Sequence, residues 1–115
     1  HSAGGGPPSA KDSVEAAAMT NRFYEAQCIK DETMGESIAA AHAKAGQGVV
    51  VLHFNGAFHS DWGLGTAARA RRRLPNAKTL VVTAVPVDDV VRANAAEFAD
   101  RADYVILTPK PPKAK

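Results

Sequence analysis

A single cysteine, Cys28, is all the chain offers. That excludes an internal disulfide framework and a cysteine-rich zinc site. Charge of one sign is also scarce: 14 Lys and Arg stand against 12 Asp and Glu, a net charge of +2 with His neutral. So mild a balance gives no argument for nucleic acid or a membrane surface. No apolar run approaches the roughly 20 residues that span a bilayer. There is no signal peptide, no internal repeat, no P-loop, no GxSxG elbow and no HExxH. The opening His-Ser-Ala-Gly-Gly-Gly lacks Met and reads as a processing product or an excised fragment, so a missing targeting signal says nothing of the parent protein.

What is present fits one small domain. A chain of 115 residues with 45% hydrophobic content is long and apolar enough for one core. Residues 1–12, rich in Gly, Pro and Ser, read as a flexible arm, 13–108 as an α/β domain, and 109–115 (PKPPKAK) as a flexible tail. Ser13 or Asp12 is placed to cap a helix from about Val14 to Ala45, with Gly46 as its stop. Gly35 leaves open whether this is one helix or two, since Gly costs about 1 kcal/mol relative to Ala inside a helix. Val49 to Phe54, Thr79 to Val85 and Tyr104 to Leu107 read as buried strands. A helix over Thr66 to Leu74, ended by Pro75, and one from Asp88 to about Ala99 separate them. The order α-β-α-β-α-β predicts a small parallel sheet of about three strands with flanking helices. Three parallel strands leave both edges open, so the sheet is expected to be part of a larger one, completed by other chain or by a homo-oligomer.

The chemistry concentrates after the first expected strand, in HFNGAFHSDWGLG, His53 to Gly65. Ligands in an open parallel sheet bind beyond the carboxyl ends of the strands. His59 there is either a solvated loop histidine or a ligand; His53 reads as a packed, hydrogen-bonded residue and His42 as solvent-facing. On a helical wheel Met19, Phe23, Met34, Ile38 and Ala41 share one face. Gln27 falls within that face and Asp31 beside it, where polar groups need partners; they either bond a neighbouring loop or face the crevice of His59. Tyr24 lies at the edge of the stripe, as a packing residue or a phenol offered to the crevice. The run ARARRR, Ala68 to Arg73, reads as a solvated helix end, with an anionic ligand as the other reading. Gly63-x-Gly65-x-x-Ala68 matches a dinucleotide fingerprint only superficially, because Asn55 to Trp62 intervenes after the strand.

Several of these segments together resemble one family. Phe23-Tyr24-Glu25-Ala26-Gln27 followed by Asp31-Glu32-Thr33-Met34 is similar to the "AQ…D.TMA" helix of the ChaN-like haem-binding lipoproteins. Gly56-Ala57-Phe58-His59 resembles that family's "G..H", Gly63-x-Gly65 its "G.G", and Ala102-Asp103-Tyr104-Val105 its "aDyv". The family is related to the Tiki and erythromycin esterase-like group. Gly35 departs from the usual Ala, and His53-Phe54-Asn55 is more polar than the usual strand end. The family's first strand and "GE.H" motif are absent, so the resemblance implies the C-terminal half of the domain, with an N-terminal half or a second copy as partner. It implies a haem- or iron-binding protein of the cell envelope, without catalytic residues of its own. The site it implies is His59 as ligand to haem iron or a metal, with Gln27, Asp31 and Gly56 around it and Tyr24 as a phenolate ligand. The alternatives are a metal-dependent hydrolase holding a divalent metal and a non-catalytic interaction module.

Overall fold

A computed structural model describes residues 9–114. The expected flexible arm and tail fall in part on residues outside these. The architecture is α/β. A single helix α1 runs from Ala10 to Ala45, a second, α2, from Gly65 to Arg73, and two strands, β1 (Val82–Val87) and β2 (Tyr104–Pro109), pair in parallel. Val82 stands opposite Tyr104 and Val87 opposite Pro109.

The capping residue of α1 is Ser9, not Ser13 or Asp12. Its hydroxyl accepts from the Asp12 N–H while the Asp12 carboxylate accepts from the Ser9 N–H, a reciprocal box. Ser9 also holds the Asp12 carboxyl below its ordinary pKa. The helix ends where expected, with Gly46 at φ 81°. Gly35 does not break it. A Cβ there would stand 2.8 Å from Arg69 Cβ and 3.3 Å from the Ala70 nitrogen, so glycine is what lets α1 and α2 cross closely.

Two strands form rather than three. Val49 to Phe54 has no ladder partner among the described residues, and all but the half-buried Val51 are exposed, Leu52 to 76% and Phe54 to 89%. The sequence carried a strand's apolar content, but a ladder needs a neighbour on which to form. His53, expected to be packed, is exposed for the same reason. The second expected strand is shifted to Val82–Val87 and is buried on one face only, in strict alternation. Val81, Val85 and Val87 form its core side, with Thr83 between them, while Leu80, Val82, Tyr104 and Ile106 lie open on the other.

The helix expected from Asp88 to Ala99 is replaced by turns and one short 3-10 segment, Ala95–Phe98. Asp89 Oδ1 accepts from the Val91 and Arg92 N–H groups, and Asn94 Oδ1 from the Ala96 N–H. These local side-chain bonds compete with the helical ladder. On α1 the apolar stripe is not a core face: Met19 and Phe23 are 67% and 61% exposed. His42, expected in solvent, is half-buried.

Candidate functional site

The meeting of α1, α2 and the 56–65 loop brings two of the sequence-predicted residues together. Asp31 lies near the start of the part of α1 that packs on its neighbours and is 7% exposed. Its Oδ1 is 2.8 Å from His59 Nδ1 and also accepts a 2.9 Å hydrogen bond from Thr66 Oγ1. Thr66, at the first turn of α2, is 1% exposed. Arg69 reaches to 4.0 Å from the other carboxylate oxygen. A carboxylate on Nδ1 favours the tautomer with the proton there, which leaves the Nε2 lone pair for another partner.

The loop is shaped to deliver His59 to Asp31. Two 3-10 turns, Ala57–His59 and Asp61–Gly63, follow one another. The His59 N–H donates to the Gly56 carbonyl at 2.9 Å, and Ser60 Oγ donates to Asn55 Oδ1 at 3.1 Å. Gly63 and Gly65 take left-handed φ values of 67° and 53°. A Cβ on Gly65 would collide with the His59 carbonyl and stand 3.2 Å from Asp31 Oδ1. The "G.G" pair is therefore explained by close approach of the loop to its own histidine, not by a dinucleotide. Gly56 is different: a Cβ there meets only His59 Cδ2, at 3.9 Å, so its contribution is the carbonyl and an open imidazole edge. Phe58 stands edge-on to the His59 ring, centroids 5.6 Å apart, and is 72% exposed.

The loop does not sit beyond the carboxyl ends of the strands as expected. Trp62, left-handed at φ 58°, donates its N–H to the Arg101 carbonyl at 2.6 Å, and the Arg101 guanidinium lies 5.0 Å over its ring. Arg101 Nε is also 3.8 Å from the buried Asp61 carboxylate. These contacts tie the loop to the turn that leads into β2, at the amino ends of the strands. Without a ladder for Val49 to Phe54, no strand end carries the loop to the other side.

The remaining candidates lie apart from the pair. Gln27 is half-buried one turn before Asp31, and Tyr24 is 68% exposed nearly two turns before it. A hydrogen bond with the Cys28 thiol, with its charge second, holds the Tyr24 phenol above its ordinary pKa. The arginine run is solvated in part: Arg72 and Arg73 are exposed, while Arg69 and Arg71 are half-buried. Glu32 accepts hydrogen bonds from Arg72 at 2.9 Å and Arg73 at 2.6 Å and forms an ion pair with Arg69, Nε 2.8 Å away, which clamps α2 to α1. Hydrogen bonding to Arg73 holds the Glu32 carboxyl below its ordinary pKa. Sequence reasoning missed Thr66 and Glu32. Thr66 looked like an ordinary helix-start residue, and Glu32 carried no signal beyond its place next to Asp31.

A family model described as "Haem-binding uptake, Tiki superfamily, ChaN" matches residues 6–70, more than half of the chain. The chain belongs to this family. The match takes in all of α1, the loop and most of α2, so Asp31, His59 and Thr66 lie within it, whereas β1 and β2 lie outside. No curated protein and no solved structure matches the chain.

Haem is the cofactor the family implies, and the donor set fits it. Among the described residues no group of three or more His, Cys, Asp and Glu side chains is placed to hold a metal ion. A free divalent metal asks for about three or more such ligands, whereas haem would bring most of the iron's ligands with it and would ask few of the protein. An imidazole fixed through Nδ1 by a buried carboxylate is a donor that such a group would take.

Proposed function

We propose that this ChaN-family chain binds haem through His59 Nε2, and that it serves haem or iron uptake at the cell envelope. The observation that carries the reading is the 2.8 Å contact of Asp31 Oδ1 with His59 Nδ1. The family's description, which names haem binding and uptake, supports it. Bound haem would supply the iron chemistry. The chain's part is to hold one imidazole in a fixed orientation, with Nε2 turned to the ligand. Asp31 accepts a hydrogen bond from Nδ1–H, Thr66 pins the carboxylate, and Gly65 lets the loop close on both. The exposed side chains of Val50, Leu52, Phe54 and Phe58 offer apolar surface to a porphyrin face in the same stretch. The further walls of the site come from an N-terminal half of the domain or from a second copy. No helix among the described residues is long and apolar enough to cross a membrane.

The test is a haem titration followed by absorbance, on the chain alone and with the N-terminal half of a family member added. We expect saturable binding that His59→Ala weakens and Tyr24→Phe leaves in place. Equal titration of His59→Ala and the parent removes His59 from the site. Loss in Tyr24→Phe alone would transfer the ligand role to the phenol.

A further inference from the structure

Between Leu52 and Gly65 a single residue is buried, and it is a carboxylate: Asp61, 7% exposed. No apolar side chain is buried in this stretch, so polar contacts hold the turn that carries His59. One is the bond of the imidazole to Asp31. Another set falls two and three residues further on and comes from Arg101, in the turn that leads into β2. Arg101 Nε lies 3.8 Å from Asp61 Oδ2, and the Arg101 carbonyl accepts from the Trp62 N–H at 2.6 Å. The guanidinium lies 5.0 Å over the Trp62 ring and 5.3 Å over that of Phe98. These contacts offset two costs. Trp62 is the one non-glycine residue at positive φ among the described residues, with φ 58° and ψ 19°, a conformation that persists only where its surroundings impose it. Asp61 holds a charge out of water, and among the described residues Arg101 is the one cation paired with it. The second carboxylate oxygen, Oδ1, has no hydrogen-bond partner among the described residues.

We propose that Arg101 is a positioning residue for the site: through Asp61 and Trp62 it holds the turn in which the His59 imidazole reaches Asp31. Its effect on haem rests on the reading of His59 as ligand; its hold on the turn does not. Without the guanidinium, the Asp61 carboxylate is left buried with no countercharge and must reach water or take a proton. Trp62 at the same time loses the ring contact that favours its left-handed backbone. The two 3-10 turns are bonded to each other, since the Gly63 N–H donates to the Ser60 carbonyl at 3.1 Å and the Leu64 N–H to the Asp61 carbonyl at 3.3 Å. Relaxation at Asp61 and Trp62 therefore carries the adjacent His59 away from Asp31. The consequence is specific: Nδ1 loses its carboxylate acceptor, and the ring proton redistributes toward Nε2, the atom offered to the ligand. Arg101 lies outside residues 6–70, the stretch that matches the family model, so the family pattern does not disclose it.

The test begins with the haem-free chain. Ring-nitrogen NMR signals of its histidines, in buffer alkaline enough to leave free imidazole neutral, report which nitrogen holds the proton. The His59 proton is expected on Nδ1 in the parent and shifted toward Nε2 in Arg101→Ala, with the His42 and His53 signals unchanged. Adding Asp61→Asn to Arg101→Ala, which removes the buried charge along with its partner, should regain part of the Nδ1 form. Arg101→Lys keeps a charge for Asp61 and gives up the planar stack, so His59 should fall between the parent and Arg101→Ala. The emission of Trp62, the chain's one tryptophan, reads the loss of the stack in both variants. In a haem titration Arg101→Ala should bind about tenfold more weakly, at the low end of what outer partners of a ligating histidine contribute, and Arg101→Lys should lose less. Parent-like His59 signals in Arg101→Ala would overturn the inference. So would movement of all three histidine signals together, because Arg101 would then hold the fold as a whole. The NMR comparison needs no haem, so the failure of the positioning role and the failure of His59 as ligand are read separately.

Discussion

Replacing Asp31 by Ala removes the group on which the loop and both helices converge. Two donors lose their acceptor: Thr66 Oγ1 at 2.9 Å and His59 Nδ1 at 2.8 Å. Their costs differ. Thr66 is 1% exposed and has no water to turn to, so it bears the desolvation penalty of an unpaired buried donor, about 1–3 kcal/mol. The His59 side chain is 18% exposed and can recruit solvent, so its loss adds little to stability. Arg69 keeps Glu32 at 2.8 Å. Alanine returns about 0.5 kcal/mol of helix propensity. The net is a destabilisation of about 1–2 kcal/mol, a fall of several degrees in melting temperature for a chain of this size. Ligand binding should suffer more, about 10–100-fold, because the imidazole loses the partner that sets its orientation and tautomer. Thermal denaturation by far-UV circular dichroism and haem titration read the two effects separately. Asp31→Asn, which keeps an oxygen for Thr66, should recover most of the stability and only part of the affinity. An Asp31→Ala variant with the parent's melting temperature and haem affinity would refute the reasoning.

Other consequences follow from the same contacts. Gly65→Ala should destabilise by about 1–2 kcal/mol from the left-handed backbone alone, with a further cost from the His59 carbonyl, and should weaken haem binding; a neutral outcome in thermal denaturation would mean that the loop does not close on His59. Gly35→Ala gains about 1 kcal/mol of helix propensity but overpacks the α1–α2 crossing at a cost of about 1–3 kcal/mol, so the melting temperature should fall; a rise would show that the crossing has slack. Glu32, whose carboxyl is held below its ordinary value by Arg73, contributes stability that is complete above the unfolded value of 4.5 and is lost as pH falls through the lower folded value. Acid unfolding of Glu32→Gln should therefore show a shallower dependence on pH below 4.5 than the parent; identical acid limbs would mean that the clamp is energetically idle.

Periodicity and punctuation carried the helices. The 3.6-residue pattern and Gly46 fixed the extent of α1 at its carboxyl end, and Pro75 fixed that of α2. The cap was misplaced because Ser9, Asp12 and Ser13 are all competent by type, and only the reciprocal geometry chooses Ser9. The strands were less legible. An apolar hexapeptide such as Val49 to Phe54 states what a strand needs, not whether a neighbour exists. Burial of β1 on one face likewise depends on contacts, whereas the turns after Asp88 come from Asp89 and Asn94, whose side chains bond the local backbone. At the site, a carboxylate four residues after Gln27 and a histidine after Gly56 were visible as unusual polar placements. That they touch across 28 positions was not. Thr66 was invisible because its hydroxyl matters only once Asp31 stands opposite it.

The central claim is that His59 offers Nε2 to haem iron while Asp31 holds Nδ1. Resonance Raman spectroscopy of the ferrous haem complex tests it most directly, since an iron–imidazole stretch reports the ligand and rises in frequency as the imidazole becomes more basic. The account predicts that the band is present in the parent, absent in His59→Ala and at lower frequency in Asp31→Asn. A haem complex of the parent without that band, or a band that persists unchanged in His59→Ala, would contradict it.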